Sequence, residues 1–182
     1  MAVYAPANYA ELESMLSEAF TLNAPAAVCY PRGQEGEYKE DNSRCDEYVI
    51  KEGSDLTLVC YGIMVNEALK AAQLFEEKGV SLEIIKLSRL DKADYPFVYA
   101  SAKKTGKIII AEESARRGSM GTRLLAGLLR NGVSVEHGCG VDLGSGIVEH
   151  GTVAELRKKY GIDAEAIVKL GMEWIDNEKS KA

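Results

Sequence analysis

The sequence predicts an α/β fold in which a mainly parallel β-sheet is covered by helices on both faces. Two observations support this prediction: short, continuous apolar runs that are typical of buried strands, and amphipathic helical patterns that separate most of these runs. The two patterns alternate from Asp55 onward, as expected for parallel strands joined by crossover helices. With 182 residues the chain is long enough for one domain with an appended piece.

The predicted strands are runs of four to five residues that are rich in Val, Leu, Ile and Ala. They cover residues 26–30, 56–60, 82–85 and 108–111, with a weaker run at 133–135. Such runs lack the polar alternation of a half-exposed strand, so we expect most of this sheet to be buried on both faces.

The predicted helices follow from apolar residues that recur every three or four positions. After the second strand, Met64, Ala68 and Phe75 share one helix face, and Gly79 ends the pattern. Thr152 and Glu155 have the spacing of a capping box at a helix start. Further helices are predicted at residues 93–104, with Pro96 in the first turn, at 121–130, at 153–160, and from a cap at Asp163 through Trp174.

The first part of the chain does not fit this alternating unit. A helix is predicted at residues 8–20 with Asn8 as its cap, followed by the strand at 26–30. One helix and one strand cannot cover both faces of a sheet, so we interpret this piece as the tail of a larger domain. The chain is therefore expected to be a fragment of a longer protein.

An acidic stretch separates the two parts. Residues 34–55 contain eight acidic and three basic residues. This composition favours an exposed linker, with a short strand at 48–50.

Composition also excludes several classes of function. A net charge of −6 without a basic tract argues against a nucleic-acid partner. The longest apolar runs fall far short of the roughly 20 residues that a membrane span needs, and a cytoplasmic protein is expected. Four widely spaced cysteines and only two histidines make a metal site unexpected and favour reduced thiols. The cysteines are Cys29, Cys45, Cys60 and Cys139.

Three patterns in the sequence suggest chemistry, but none of them indicates a catalytic residue. The glycine-rich stretch 138–146 fits neither phosphate-binding glycine motif, so a turn-forming loop is expected. His137 and His150 flank it without a catalytic partner. The serines lack the G-x-S-x-G frame of a hydrolytic nucleophile; they are Ser114, Ser119 and Ser145.

Glu112 and Glu113 end a predicted strand, the position where ligands gather in parallel sheets. Paired carboxylates beside Arg116 and Arg117 can also form a solvated ion-pair cluster, and we favour that interpretation.

Arg32 lies in the segment Tyr30-Pro31-Arg32-Gly33, directly after the strand at 26–30. An arginine at the carboxyl end of a strand can donate two parallel hydrogen bonds to a phosphate. Residue chemistry alone leaves a phosphate ligand and a structural ion pair equally open.

These segments together resemble the C-terminal part of the 1-deoxy-D-xylulose-5-phosphate synthase family, which are thiamine-diphosphate enzymes of the transketolase superfamily. The resemblance extends over nearly the whole chain and rests on residues 5–8 with Glu11-Leu12, on 29–33, on Tyr61-Gly62 with Met64-Val65 and Glu67-Ala68, on Glu112-Glu113, and on 147–165.

The resemblance implies a tail of a pyrimidine-binding domain at 1–33, an acidic linker at 34–53 and a transketolase C-terminal domain at 54–182. The family condenses pyruvate with glyceraldehyde 3-phosphate, releases carbon dioxide in isoprenoid precursor synthesis, and uses thiamine diphosphate and magnesium. Arg32 would bind the phosphate of the aldehyde. The Gly-Asp-Gly motif and the activating glutamate lie upstream in this superfamily, so this chain alone is expected to be inactive, with no cofactor or metal ligand. Its expected partners are the upstream domains of the same polypeptide and a second copy in a homodimer.

Departures from the family pattern leave the exact substrate open, and two alternatives to the family's reaction remain. The departures lie at Cys29, at 88–91, at Arg117-Gly118 and at 141–143. One alternative is a transketolase-like paralogue with another substrate. The other is a flavodoxin-like binding or oligomerisation module without catalysis.

Overall fold

The computed structural model describes residues 1–179, which form seven strands and six helices within that range. In chain order these are β1 (Ala2–Tyr4), α1 (Tyr9–Thr21), β2 (Ala26–Val28), β3 (Glu47–Lys51), β4 (Leu56–Tyr61), α2 (Met64–Glu76), β5 (Leu82–Leu87), α3 (Pro96–Thr105), β6 (Lys107–Ala111), α4 (Met120–Arg130), β7 (His137–Val141), α5 (Val153–Tyr160) and α6 (Ala164–Lys179).

A five-stranded sheet with the order β3-β5-β4-β6-β7 forms the centre of the molecule. The strands from β4 to β7 are parallel, and β3 pairs with β5 in the antiparallel direction at one edge. In β5 and β6 every residue is buried, as the continuous apolar runs predict. The predicted fold class is confirmed.

Helices cover both faces of this sheet. On one face, α2 and α6 enclose a core that includes Leu58, Phe75 and Ile167. On the other face, α3 and α4 pack over a second core that includes Ile85 and Leu124. Each crossover helix therefore buries its apolar stripe against the sheet, which provides most of the stability of such helices. None of the helices within residues 1–179 has the length and apolar composition that crossing a bilayer requires.

The N-terminal elements form a small unit of their own beside this sheet. Strands β1 and β2 pair in parallel, and α1 covers them, with Met15 of the helix in one apolar cluster with Tyr4 of β1. Asn8 caps α1 as predicted, because its side chain accepts a hydrogen bond from the Glu11 amide. The amide of Ala5 donates to the carbonyl of Ser88 at 3.0 Å, which joins the unit to the end of β5.

The segment 34–53 is less exposed than its composition predicts. Tyr38 is only 4% exposed, and Glu47 opens β3, an edge strand of the central sheet. Glu35 accepts a hydrogen bond from the Tyr9 amide at 2.8 Å. The expectation of an exposed linker is therefore wrong for Tyr38, Ser43 and Glu47, which are buried. Glu47 also accepts hydrogen bonds from backbone amides of α3. The short strand predicted here is confirmed, and the division of the chain at 33 and 53 stays a prediction.

The last strand lies a few residues beyond the predicted one. Residues 133–135 are not a strand, whereas Gly138 and Gly140, which we expected in a loop, belong to β7. The reason is the close approach of α4: a Cβ on Gly121 would lie 3.1 Å from the Gly140 Cα. Glycines make room for this contact, and the ladder between β6 and β7 uses only backbone groups.

Three other predicted boundaries shift by a few residues. Strand β2 ends at Val28 and α3 begins at Pro96, while α6 continues past Trp174 to Lys179. The capping box at Thr152 is present as predicted.

Candidate functional site

The fold places a cleft at the topological switch point of the sheet. The chain passes from β4 to β5 on one side, and then crosses to β6 on the other side of β4. Ligands of open parallel sheets bind outside the carboxyl ends of the strands at such a point. Here Gly62 and Ile63 follow β4, and Glu112 and Glu113 follow β6.

The cleft has a volume of about 550 Å³ and is framed by both parts of the chain. Its apolar lining includes Ile63, Leu143, Val148, Leu156 and Ile162, and its charged lining consists of Arg32, Glu67, Lys70, Glu113 and Arg157. An apolar cavity with a few convergent charged groups is typical of a small-molecule site.

The turn between β4 and α2 forms one wall. Gly62 has φ +54°, a left-handed conformation that favours glycine and that lets the chain enter α2 directly after the strand. The helix then presents Asn66 and Glu67 to the cleft. Asn66 accepts a hydrogen bond from the Tyr38 amide at 3.0 Å and donates to the Ile63 carbonyl at 3.1 Å. The turn and the segment before β3 are thus held together.

Charged side chains on the wall of the cleft form a closed network. Arg157 of α5 donates to Glu113 at 2.6 Å and to Glu67 at 3.3 Å. Lys70 lies 3.3 Å from the same Glu67 oxygen, and the other oxygen accepts from the Ala164 amide at 3.1 Å. The charge of Arg157 is therefore balanced by protein carboxylates. Sequence reasoning assigned no role to Glu67, Lys70 or Arg157, because their pairing depends on tertiary contacts.

Arg32 is exposed and lines the same cleft as this network. It also lines an adjoining cavity of about 310 Å³, with Ala7, Tyr9 and Glu35 among the other lining residues. Within residues 1–179 no hydrogen bond or ion pair of Arg32 is observed, so the structural ion pair that the sequence left open is not formed there. Its guanidinium remains available to a ligand.

Glu112 has a different environment from the one expected. Its side chain is fully buried and accepts hydrogen bonds from the amides of Met120 at 2.9 Å and Gly121 at 2.7 Å. The hydroxyls of Tyr61 and Ser114 donate to it at 2.8 and 2.7 Å. Burial, together with the charge of Glu112, raises the pKa of Tyr61. The predicted solvated cluster is therefore wrong for Glu112, which caps α4.

Arg116, one of the two expected arginine partners of this pair, also binds elsewhere. Glu113 pairs with Arg157, and Arg116 pairs with Asp142 at 3.2 Å.

The two histidines lie apart from the cleft network. The ring of His137 stacks on that of Trp174, with centroids 5.2 Å apart and planes inclined by 12°. His150 is exposed in the segment before α5.

Comparison with known proteins assigns the domain. Residues 47–167 match the family described as the transketolase C-terminal domain. The chain belongs to this family. The family is that of thiamine-diphosphate-dependent enzymes, so the expected fold type and the relation to such enzymes agree with this match.

The curated relatives that match the transketolase C-terminal domain of this chain are longer proteins. The chain is 30% identical over 190 residues to 1-deoxy-D-xylulose-5-phosphate synthase of Heliobacterium modesticaldum, covering 100% of the chain and 29% of that enzyme. It is 32% identical over 173 residues to synthase 1 of Geobacter sulfurreducens, covering 92% and 27%. It is also 38% identical over 99 residues to the pyruvate dehydrogenase E1 β subunit of Staphylococcus epidermidis, covering 54% and 30%. The chain therefore spans less than a third of the length of these relatives.

Solved structures show the same architecture. A split-gene transketolase, described as an inactive β4 tetramer, matches with a TM-score of 0.76 and 26% identity over 95% of this chain and 57% of that one. Transketolase from Campylobacter jejuni matches with a TM-score of 0.70 over 94% of this chain and 26% of that one, and at 15% identity it shows the fold alone.

The described residues provide no ligand cluster for the magnesium that accompanies thiamine diphosphate in the resemblance. Residues 1–179 contain no group of three or more His, Cys, Asp or Glu side chains that could hold a metal ion. The sequence also has no Gly-Asp-Gly tripeptide.

Proposed function

We propose that the chain is the C-terminal part of a transferase that condenses pyruvate with glyceraldehyde 3-phosphate to 1-deoxy-D-xylulose 5-phosphate and carbon dioxide. The relatives that match the chain from end to end support this proposal. The single observation that supports a role for this chain itself is Arg32, which lines the switch-point cleft and has no partner within residues 1–179.

In this proposal Arg32 binds the phosphate of the aldehyde acceptor. A guanidinium can donate two parallel hydrogen bonds to phosphate oxygens, which fixes the orientation of the acceptor as well as its affinity. Arg157, the other arginine of the cleft, is already paired with two carboxylates, so Arg32 is the stronger candidate of the two. Thiamine diphosphate with magnesium supplies the carbon–carbon bond chemistry, and we expect upstream domains to hold both.

The N-terminal unit supports the proposal that further domains belong to the enzyme. Two strands and one helix bury little apolar surface, and such small sheets need further strands or a packed neighbour. On α1, Tyr9 and Phe20 are 54% and 87% exposed. We expect the rest of a pyrimidine-binding domain to pack here, in a homodimeric cytoplasmic enzyme.

The experiment replaces Arg32 in the assembled enzyme, which consists of this chain with its upstream domains. Arg32→Ala should raise the KM for glyceraldehyde 3-phosphate by about ten- to a hundredfold, the worth of one charge-assisted phosphate contact. Pyruvate decarboxylation should change much less. Arg32→Lys should give an intermediate KM, because an ammonium group cannot form the bidentate contact.

Arg44→Ala is the matched control, since Arg44 is exposed and does not line the cleft. Arg44→Ala should leave both the KM for glyceraldehyde 3-phosphate and the rate of pyruvate decarboxylation unchanged. If Arg32→Ala impairs the use of glyceraldehyde 3-phosphate and the decarboxylation of pyruvate to the same extent, Arg32 is a structural residue. If neither changes, Arg32 does not have the proposed role.

A transketolase-like paralogue is the second candidate. The TM-score of 0.76 to the split-gene transketolase favours it, because that match covers nearly the whole chain. This candidate also keeps a phosphate-bearing acceptor, so the two proposals differ in the donor substrate.

A further inference from the structure

A buried ion pair links the N-terminal unit to the central sheet. The Glu11 Oε1 atom on α1 lies 2.7 Å from the Lys86 Nζ atom on β5, and both side chains are completely buried. The Lys86 ammonium also donates to the Ser88 hydroxyl at 2.6 Å. Burying two charges carries a large desolvation cost, so such a pair is weak support for stability in itself.

The Glu11 carboxylate holds two further segments. Its Oε2 atom accepts from the Ala7 amide at 2.8 Å, in the turn before α1. Its Oε1 atom accepts from the Asn42 amide at 3.0 Å, in the segment before β3. The Ser88 hydroxyl donates to the Asn42 carbonyl at 3.1 Å, which closes the cluster. The pair therefore connects the sheet, the start of α1 and the segment around Asn42.

The start of α1 also forms one wall of the cavity of about 310 Å³ that Arg32 lines beside the cleft. Ala7 and Tyr9 line this cavity together with Arg32 and Glu35. The Tyr9 amide donates to the Glu35 carboxylate at 2.8 Å, which ties the segment after Arg32 to the first turn of the helix. A displacement of α1 relative to β5 would therefore move Arg32 relative to the cleft.

We infer that Glu11 and Lys86 are positioning residues for the phosphate contact of Arg32. This inference rests on the proposed function. A pair of apolar side chains could fill the same volume, but it could not accept from the two backbone amides or bond the Ser88 hydroxyl. The buried pair fixes the register between the N-terminal unit and the sheet.

The test measures steady-state kinetics of the assembled enzyme. Lys86→Met should raise the KM for glyceraldehyde 3-phosphate about tenfold, because small misplacements of a binding group have effects of this size or larger. The KM for pyruvate should change little. Lys86→Arg restores the charge and should restore most of the acceptor affinity. In an Arg32→Ala background, Lys86→Met should cause no further rise, because the group that it positions is absent.

Three outcomes would overturn the inference. If Arg32→Ala raises the acceptor KM but Lys86→Met does not, the pair has only a structural role and the proposed function stands. If Arg32→Ala leaves that KM unchanged, the proposed function and this inference both fail. Where Lys86→Met does not fold by circular dichroism, the double variant Glu11→Gln/Lys86→Met answers the question, because it leaves no unpaired buried charge. A folded double variant with the wild-type acceptor KM would overturn the inference as well.

Discussion

Asp91 shows how a single side chain joins distant parts of the chain. Its Oδ1 atom accepts from the Val3 amide at 2.9 Å, and Arg89 donates to both of its oxygens at 2.9 Å. The same guanidinium lies 4.5 Å from the centroid of the Tyr4 ring. Although burial works in the opposite direction, the hydrogen bonds from Arg89 and Val3 lower the pKa of Asp91 to about 2.

This pKa predicts a pH-dependent contribution of Asp91 to stability. The folded-state pKa lies below the unfolded value of about 3.9, so the stabilisation is present above pH 4 and is lost as the pH falls towards 2. Asp91→Asn should therefore lower the free energy of unfolding by about 2 kcal/mol at pH 6 and by much less at pH 2.5. Urea unfolding of both proteins at the two pH values measures this. An equal difference in the free energy of unfolding at both pH values would contradict the lowered pKa of Asp91.

At the scale of secondary structure, buried glutamates from other elements cap three helices. Glu47 accepts from the amides of the first turn of α3 at 2.8 and 3.1 Å. Glu112 does the same for α4, and Glu67 for the first residue of α6. The first amides of a helix have no partner within it and carry partial positive charge, so carboxylates stabilise them. These helix ends are therefore occupied by protein groups.

The cap of α4 gives the second prediction. Glu112→Gln replaces one carboxylate oxygen by an amide that cannot accept a hydrogen bond, while four donors still surround the group. We expect a loss of about 2 kcal/mol in the free energy of unfolding. The adjacent Glu113→Gln removes a partly exposed ion pair and should cost less than about 1 kcal/mol. Urea denaturation measures the free energy of unfolding of both variants. An equal loss in Glu112→Gln and Glu113→Gln would contradict the capping role of Glu112.

The elements that the sequence predicted well are those whose own residues determine them. Continuous apolar runs indicate the buried strands β4, β5 and β6, and capping residues indicate the starts of α1 and α5. Strand β7 was misplaced because glycines carry no strand propensity, and its position depends on the close contact with α4. The caps at Glu47, Glu67 and Glu112 are likewise tertiary contacts, and no spacing in the sequence indicates them.

At the scale of the whole molecule, the two parts of the chain meet around the cleft. The sequence predicted the placement of Arg32 after a strand, and the structure places that strand in the N-terminal unit beside the switch point. The network of Glu67, Glu113 and Arg157 was not predicted, because its members lie 44 to 90 positions apart. The periodicity of the sequence therefore predicts helices and strands. The charged lining of the cleft cannot be predicted in this way, because it depends on how those elements pack together.

The third prediction concerns cofactor binding by the 182-residue chain alone. A diphosphate with its metal ion needs oxygen ligands for the metal and donors for the phosphates, and residues 1–179 provide no metal-binding cluster. Isothermal titration with magnesium and thiamine diphosphate should therefore show no binding at micromolar concentrations. A micromolar Kd would contradict the proposal that upstream domains hold the cofactor.

The most direct test of the proposed function is the product that the assembled enzyme makes from pyruvate and glyceraldehyde 3-phosphate. We predict 1-deoxy-D-xylulose 5-phosphate and one equivalent of carbon dioxide, both detectable by mass spectrometry with carbon-13 pyruvate. Transfer of a two-carbon unit from a ketose phosphate, without release of carbon dioxide, would instead identify a transketolase-like enzyme. If an assembled enzyme that binds thiamine diphosphate catalyses neither of these two reactions, both catalytic proposals are contradicted and a non-catalytic module is favoured.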